Sequence, residues 1–293
     1  MSIGTIKTRQ QFIPMNDTDR ATVRNLVIFT ITVVAIGWIG WGLDRLMGNQ
    51  ASESLGMLLW IITPLVATLL LRTFAGDGWK DFGLRPRLKG NVVWYTIALL
   101  VFPTVTTLVL FIGGIFGLIT FPNLSLNNLQ PLLWAFALGL LPMFFKNILE
   151  ELPWRGYLTP KIYSLGLNDF AGHLMVGLIW AVWHLPYYLF FLDRVVIQSY
   201  TSLDLPAFIL MAIVAMISWA IVFGEIRLLT NSVWPVVLMH MVEDAFLNPL
   251  LLDGYIQITP GMDWLISPGV GILSIFCFMA IGIGLYQWRK RQQ

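Results

Sequence analysis

The chain has 293 residues, of which 57% are hydrophobic and only 12% carry a charge. A soluble domain carries about 25% charged residues, so this composition excludes an ordinary soluble protein and indicates an integral membrane protein. The net charge of +2 is too small to indicate a nucleic-acid partner, and the single cysteine, Cys277, excludes an intramolecular disulfide.

Eight apolar runs follow one another along the chain, each near the roughly 20 residues needed to cross a bilayer. The predicted spans are Leu26–Leu43, Leu55–Leu71, Val92–Phe121, Pro131–Leu149, Phe170–Leu192, Pro206–Gly224, Val233–Leu252 and Trp264–Trp288. We therefore predict an all-α polytopic protein with about eight transmembrane helices. They form one bundle and a single domain over residues 1–293, and residues 1–25 form a polar N-terminal segment.

Charge alternates between the loops on the two sides of this bundle. One set of loops, which includes both termini, holds 16 of the 18 Lys and Arg residues, and the other set holds only Arg45 and Arg194. By the positive-inside rule, both termini and segment 1–25 are predicted to be cytoplasmic. We expect the protein to lie in the cell membrane, with lipid as its surrounding partner.

Two adjacent carboxylates end the fourth span, in the sequence LEELPWRG over 149–156. Ionisable groups at membrane depth cost roughly 2.5–3.5 kcal/mol each, which makes them functional candidates. Glu151 and Arg155 have the i,i+4 spacing and order of a structural ion pair, and Lys146 and Glu150 share that spacing. This leaves Glu150 as the candidate general base.

Two histidines lie well inside other spans. His184 follows Trp180 by one helical turn, so the two rings can pack together, and Pro186 should break the helix just beyond them. His240 and Asp244 share a helix face. The Asp244 carboxylate could fix the imidazole tautomer, bind a metal, or polarise a carbonyl if protonated.

Carboxylates and imidazoles together can activate a water molecule and move its proton. The chain has no His-Glu-x-x-His zinc helix, no Gly-x-Ser-x-Gly elbow and no glycine-rich phosphate loop. For Glu150 to meet the two histidines, the fourth helix must continue beyond Arg155, and nothing but Pro153 interrupts it as far as Lys161. His173 is interpreted as an interfacial histidine rather than a ligand, and Glu243 receives no role.

Three motifs carry a resemblance to a known family: EExxxR starting at Glu150, WxxxH ending at His184, and HxxxD starting at His240, preceded by TNSVWP at 230–235. In order and spacing they resemble the CAAX protease and bacteriocin-processing family, which includes the Ras-converting prenyl endopeptidase and bacterial Abi-type proteins. The motifs cover about residues 145–246.

The resemblance implies an eight-span fold that hydrolyses a peptide bond near the membrane surface. It implies water activation by Glu150 and His184, carbonyl polarisation by His240 and Asp244, and support from Glu151, Arg155 and Trp180. The family usually has Phe where this chain has Trp180, and often Asn where it has Asp244. An acid at 244 suits metal ligation together with Glu150, His184 and His240, with zinc as the candidate cofactor.

The sequence thus favours an intramembrane endopeptidase of the metalloprotease type, which acts on a membrane-associated or prenylated-type protein or peptide. One alternative is a non-catalytic immunity or scaffold protein that binds a peptide. A second is a proton- or ion-coupled transporter, although such proteins often have internal repeats, and none is visible in this sequence.

Overall fold

The computed structural model describes residues 17–48 and 54–292, so most of the predicted segment 1–25 lies outside the described residues. Its last nine residues form the start of the first helix. The α-helices are α1 Asp17–Met47, α2 Leu55–Phe74, α3 Val92–Ile115, α4 Leu126–Glu151, α5 Thr159–Ser164, α6 Asp169–Pro186, α7 Arg194–Tyr200, α8 Leu205–Thr230, α9 Trp234–Leu252, α10 Asp263–Ile266 and α11 Ile272–Arg291. Two π-helical segments, Leu152–Leu158 and Tyr187–Phe191, follow α4 and α6, and the strands are β1 Ile119–Thr120 and β2 Gln257–Ile258.

Eight helices in the described part of the chain are long and apolar enough to cross a membrane. This confirms the predicted all-α bundle and its number of spans. The fourth of these helices is continuous from Leu129 to Ser164, through α4, the first π segment and α5. The predicted continuation beyond Arg155 is therefore confirmed.

At two ends the helix stops several residues short of the predicted span. The third helix ends at Ile115 rather than Phe121, because Gly117 takes a left-handed backbone (φ 66°) and the amide of Leu118 bonds back to the carbonyl of Gly113. Ile119 and Thr120 then pair with β2 as a short antiparallel ladder. The eighth helix begins at Ile272 rather than Trp264, because the residues before it include Pro268, which has no amide hydrogen to donate.

Helix packing brings the three motifs together. Helix α4 packs along α9, and α6 packs along α8 and also contacts the first π segment. The glutamates at the end of α4 thus face His240 on α9, with α6 beside them.

At the α1–α2 contact, Gly40 and Gly56 let the two backbones approach: a Cβ on Gly40 would lie 2.6 Å from the Gly56 carbonyl oxygen.

The first π segment is wound more widely than an α-helix, and the Thr159 amide donates to the Trp154 carbonyl five residues before it. Side chains supply further donors to three carbonyls of this segment. Thr159 donates to the carbonyl of Trp154, Arg227 donates to that of Arg155, and Arg72 donates to that of Gly156. Broken helical backbone inside a membrane needs such internal partners, and here they hold the turn that follows the two glutamates.

Candidate active site

Glu150 is the penultimate residue of α4, and its side chain is almost fully buried. Its Oε1 accepts a hydrogen bond from Lys146 Nζ at 2.8 Å, which confirms the predicted i,i+4 contact. Its Oε2 is buried and has no hydrogen-bond partner among the described residues. The carboxylate is also close enough to His184 and His240 for electrostatic interaction. Glu150 therefore has one oxygen held by a cation and one oxygen without a described partner, on a carboxylate close to two imidazoles.

Glu151 joins the fourth helix to α9. Its Oε1 accepts from Arg155 Nη1 at 2.9 Å and from His240 Nδ1 at 2.8 Å. We call these three residues the site triad. Because a carboxylate oxygen accepts the bond, the Nδ1 atom of His240 must carry the hydrogen, and the ring presents Nε2 on its other side.

The structure corrects one option left open for Asp244. His240 Nε2 lies 3.9 Å from Asp244 Oδ2, which is longer than a hydrogen bond, so Glu151 and not Asp244 fixes the imidazole tautomer.

Trp180 supports the site more widely than its spacing from His184 predicted. The Arg155 guanidinium lies between the rings of Trp180 and Phe223, 4.2 and 4.4 Å from their centroids. The Trp180 ring also meets His184 and His240 edge to face, with centroids 5.6 and 5.8 Å apart. Such desolvated cation–π contacts contribute up to about 2 kcal/mol, and here they hold the cation that holds Glu151.

His184 is half-buried at the end of α6, where the helix changes to π geometry directly after Pro186. Its Nδ1 donates to the carbonyl of Trp180 at 2.9 Å, since a carbonyl can only accept. Tyr188 stacks on one side of the ring, 5.7 Å between centroids. The remaining nitrogen, Nε2, is the one that can take a proton.

The Asp244 side chain reaches from α9 to two residues of α4. Its Oδ2 accepts from Lys146 Nζ at 3.1 Å and from the buried amide of Asn147 at 2.7 Å. Lys146 thus bridges Asp244 and Glu150 with one ammonium group. Asn147 was missed in the sequence, although it stands three residues before Glu150 and so on nearly the same helix face.

A second set of acidic and imidazole atoms gathers on α9. His240, Glu243 and Asp244 have ligand atoms within 4.8 Å of one another, and this is the one such group found among the described residues. Glu243, which received no role from the sequence, therefore lies beside His240 and Asp244. The predicted metal set of Glu150, His184, His240 and Asp244 shares two members with this group and stays a prediction.

His173 lies in a separate buried cluster. Its Nε2 contacts the Tyr163 hydroxyl at 2.7 Å and Glu225 Oε1 at 2.8 Å, and Arg289 Nε donates to Glu225 Oε2 at 2.6 Å. We call His173, Glu225 and Arg289 the anchor triad, because it ties α6, α8 and α11 together. His173 is 1% exposed, so it is a core histidine rather than one at an open surface.

Comparison with known proteins gives one match. Residues 132–246 match the family model described as "Type II CAAX prenyl endopeptidase Rce1-like". No curated protein matches the chain. The matched stretch runs from α4 into α9 and contains all three motifs, which confirms the resemblance found in the sequence. This segment is similar to a family of endopeptidases, and together with the eight apolar helices the similarity indicates a protease within a membrane.

Proposed function

We propose that the chain is an intramembrane endopeptidase that hydrolyses a peptide bond of a membrane-associated, prenylated-type protein or peptide. The observation that carries this proposal is the free Oε2 of Glu150, buried close to two histidines. A buried carboxylate oxygen without a partner is costly, and a water molecule bound there would satisfy it. The family match supports the same reaction class.

Glu150 and His184 activate the water in this proposal. Glu150 Oε2 and His184 Nε2 have no hydrogen-bond partner among the described residues, so each has a lone pair that can accept a proton. One of them accepts a proton from water while the water oxygen attacks the substrate carbonyl carbon. The carbonyl π electrons move to oxygen and form the oxyanion. When the C–N bond breaks, the leaving nitrogen takes the proton held at the site.

His240 stabilises the oxyanion. Its Nδ1 hydrogen is committed to Glu151, so a donor at Nε2 requires the imidazolium form. Two carboxylates, Glu151 at 2.8 Å and Asp244 at 3.9 Å, lie beside the ring and favour that positive charge. An imidazolium N–H fixed in direction before the reaction is the kind of donor that stabilises developing negative charge best.

Lys146 offsets the negative charge that an aspartate brings to position 244. An ionised Asp244 cannot donate to an oxyanion and would repel it. The Lys146 ammonium and the Asn147 amide both bond its Oδ2, which offsets that charge. Lys146 is therefore a positioning residue that keeps the Asp244 charge away from the oxyanion and leaves His240 as the donor.

The same contact bears on the proposed metalloprotease class. The predicted ligands Glu150 and Asp244 already share one ammonium group, at 2.8 and 3.1 Å, and a divalent cation beside it would be repelled. The residues present therefore do not fit a metal held by Glu150, His184, His240 and Asp244 together. No step of the proposed reaction is routed through a metal.

The test compares peptide termini in membrane fractions from cells that make wild type or Glu150→Gln at matched levels. Gln keeps the shape of Glu but cannot accept the proton, so termini that appear with wild type should disappear with the variant. Asp193→Asn is the matched control. It is also an acid-to-amide change, but Asp193 is exposed and its side chain caps α7 by accepting from the Val195 amide.

Termini that depend on Glu150 and survive Asp193→Asn would support the peptidase and identify its substrate. Identical termini in all three strains would contradict the proposal. In that case the non-catalytic binding protein would become the better explanation, since peptide binding does not need a proton acceptor at Glu150.

A further inference from the structure

A second concave site lies away from the active site, on the side that loop charges predict to be cytoplasmic. A cavity of about 730 Å³ opens between the loop after α2, helix α5 and the end of α8. Four cations line it: Lys80, Arg85, Arg87 and Arg227. The one acid in its wall, Asp81, is paired with Arg72 and Lys161. We call this cavity the basic pocket.

Arg227 differs from the other cations of the basic pocket because it is nearly buried. It is 3% exposed, yet its guanidinium bonds only to the neutral carbonyls of Arg155 and Asp81. Within the described residues no carboxylate lies within ion-pair distance of it. The Asp81 carboxylate, already ion-paired with other cations, interacts with Arg227 from beyond that distance, and Arg87 adds like charge. A nearly buried cation without an ion pair of its own is costly, so the basic pocket favours a further negative group.

The loop after α2 lies directly over the Arg227 guanidinium and is fixed there by backbone contacts. Gly83 takes φ 83°, and a Cβ there would lie 2.8 Å from Arg227 Nη2, so only glycine lets the loop lie over the guanidinium. The Gly83 carbonyl accepts from Val233, and the Leu84 carbonyl accepts from the Trp234 indole. Lys80, Arg85 and Arg87 have no hydrogen bond or ion pair from their side chains within the described part of the chain.

Clustered, unpaired guanidinium groups suit a phosphate, which accepts several charge-assisted hydrogen bonds at once. The apolar side chains around the opening favour a lipid source. Trp79 and Leu84 line the basic pocket and are 44% and 46% exposed, and Leu88 beyond them is 57% exposed. Basic pockets between helices on the cytoplasmic side are known binding sites for anionic lipid headgroups.

We propose that the basic pocket binds the phosphate group of an anionic lipid headgroup. The site does not depend on the peptidase proposal, because none of its four cations contacts Glu150, His184 or His240. Lipid binding there would hold the loop after α2 against the first π segment, through the Arg227 bonds to Asp81 and Arg155.

The experiment measures lipid binding to the purified full chain in detergent by native mass spectrometry. Phosphatidylglycerol is the probe, and phosphatidylcholine is the reference lipid without net charge. The test variant is Arg85→Gln/Arg87→Gln, which spares the buried Arg227. The control is Lys89→Gln/Arg291→Gln, which removes two exposed cations that do not line the basic pocket.

Wild type and the control should prefer phosphatidylglycerol over phosphatidylcholine, and the test variant should bind it about tenfold more weakly. Glu150→Gln should keep the full preference, which separates this result from the fate of the peptidase proposal. Equal retention of phosphatidylglycerol by the test variant and wild type would overturn the proposal. Displacement of the lipid by millimolar inorganic phosphate would assign the basic pocket to a soluble phosphate and overturn the lipid source.

Discussion

The site triad and the anchor triad contain the same three kinds of side chain in nearly the same geometry. In both, a histidine nitrogen lies 2.8 Å from a glutamate oxygen, and an arginine holds the same glutamate at 2.9 Å in the site triad and 2.6 Å in the anchor triad. Both are buried and join helices distant in sequence. What differs is the surroundings of the histidine ring.

In the anchor triad the ring is enclosed. Its Nε2 is shared by Tyr163 and Glu225, and its Nδ1 is packed against Gly224, where even a Cβ would collide with it. In the site triad, Glu151 accepts from Nδ1, and Nε2 lies 3.9 Å from Asp244, with the Glu150 carboxylate close enough to interact with the ring. A buried His–Glu–Arg group by itself ties helices together. We propose that it takes part in catalysis only in the site triad, where the second imidazole nitrogen faces Asp244.

The largest contrast should come from the same substitution in each triad. His240→Gln can still donate to Glu151 but loses the charged donor at Nε2, so turnover of the identified substrate peptide should fall about 10²- to 10⁴-fold. His173→Gln should lower the thermal midpoint and leave turnover per folded molecule near wild type. Equal loss of turnover in both variants would remove the distinction between the triads.

A smaller effect should come from the charge pair that adjoins only the site triad. Lys146→Met leaves the charges of Asp244 and Glu150 without their shared cation, so turnover should fall about tenfold or more. Asp244→Asn, which introduces the residue that the family often has, should restore most of the loss when combined with Lys146→Met. Independent, multiplying effects of the two changes would contradict the coupling assigned to them.

Features that depend on neighbours along one helix were predictable from the sequence. The eight spans and the Lys146–Glu150 and Glu151–Arg155 contacts follow from hydropathy and i,i+4 spacing. The bond from Glu151 to His240 and the bridge from Lys146 to Asp244 join α4 to α9. They depend on how these helices cross, which no local pattern specifies.

The ion pairs that Asp81 forms outside both triads should make the stability of the fold depend only weakly on pH. Burial raises the pKa of Asp81, but the hydrogen bond and charge of Arg72, together with the charge of Lys161, outweigh it and leave the pKa below its usual range. A carboxyl with a depressed folded pKa stabilises the fold above its unfolded pKa, and this is lost as pH falls through the folded value. The thermal midpoint of wild type should therefore decrease slightly more than that of Asp81→Asn below about pH 4.

Metal removal should have the smallest effect, because Lys146 already supplies positive charge between Glu150 and Asp244. Turnover should be unchanged after incubation with a zinc chelator. A loss that added zinc reverses would contradict this expectation. It would assign a metal to His240, Glu243 and Asp244, the three residues whose ligand atoms lie together on α9.

The most direct test of the central claim measures turnover and thermal midpoint for Glu150→Gln and Glu225→Gln side by side. Each variant removes one buried negative charge, beside the site triad or within the anchor triad. We predict that Glu150→Gln abolishes turnover with an unchanged midpoint. Glu225→Gln should lower the free energy of unfolding by about 3 kcal/mol, because it leaves Arg289 without its main partner. Turnover per folded molecule should stay near that of wild type. Normal turnover by Glu150→Gln would contradict the account.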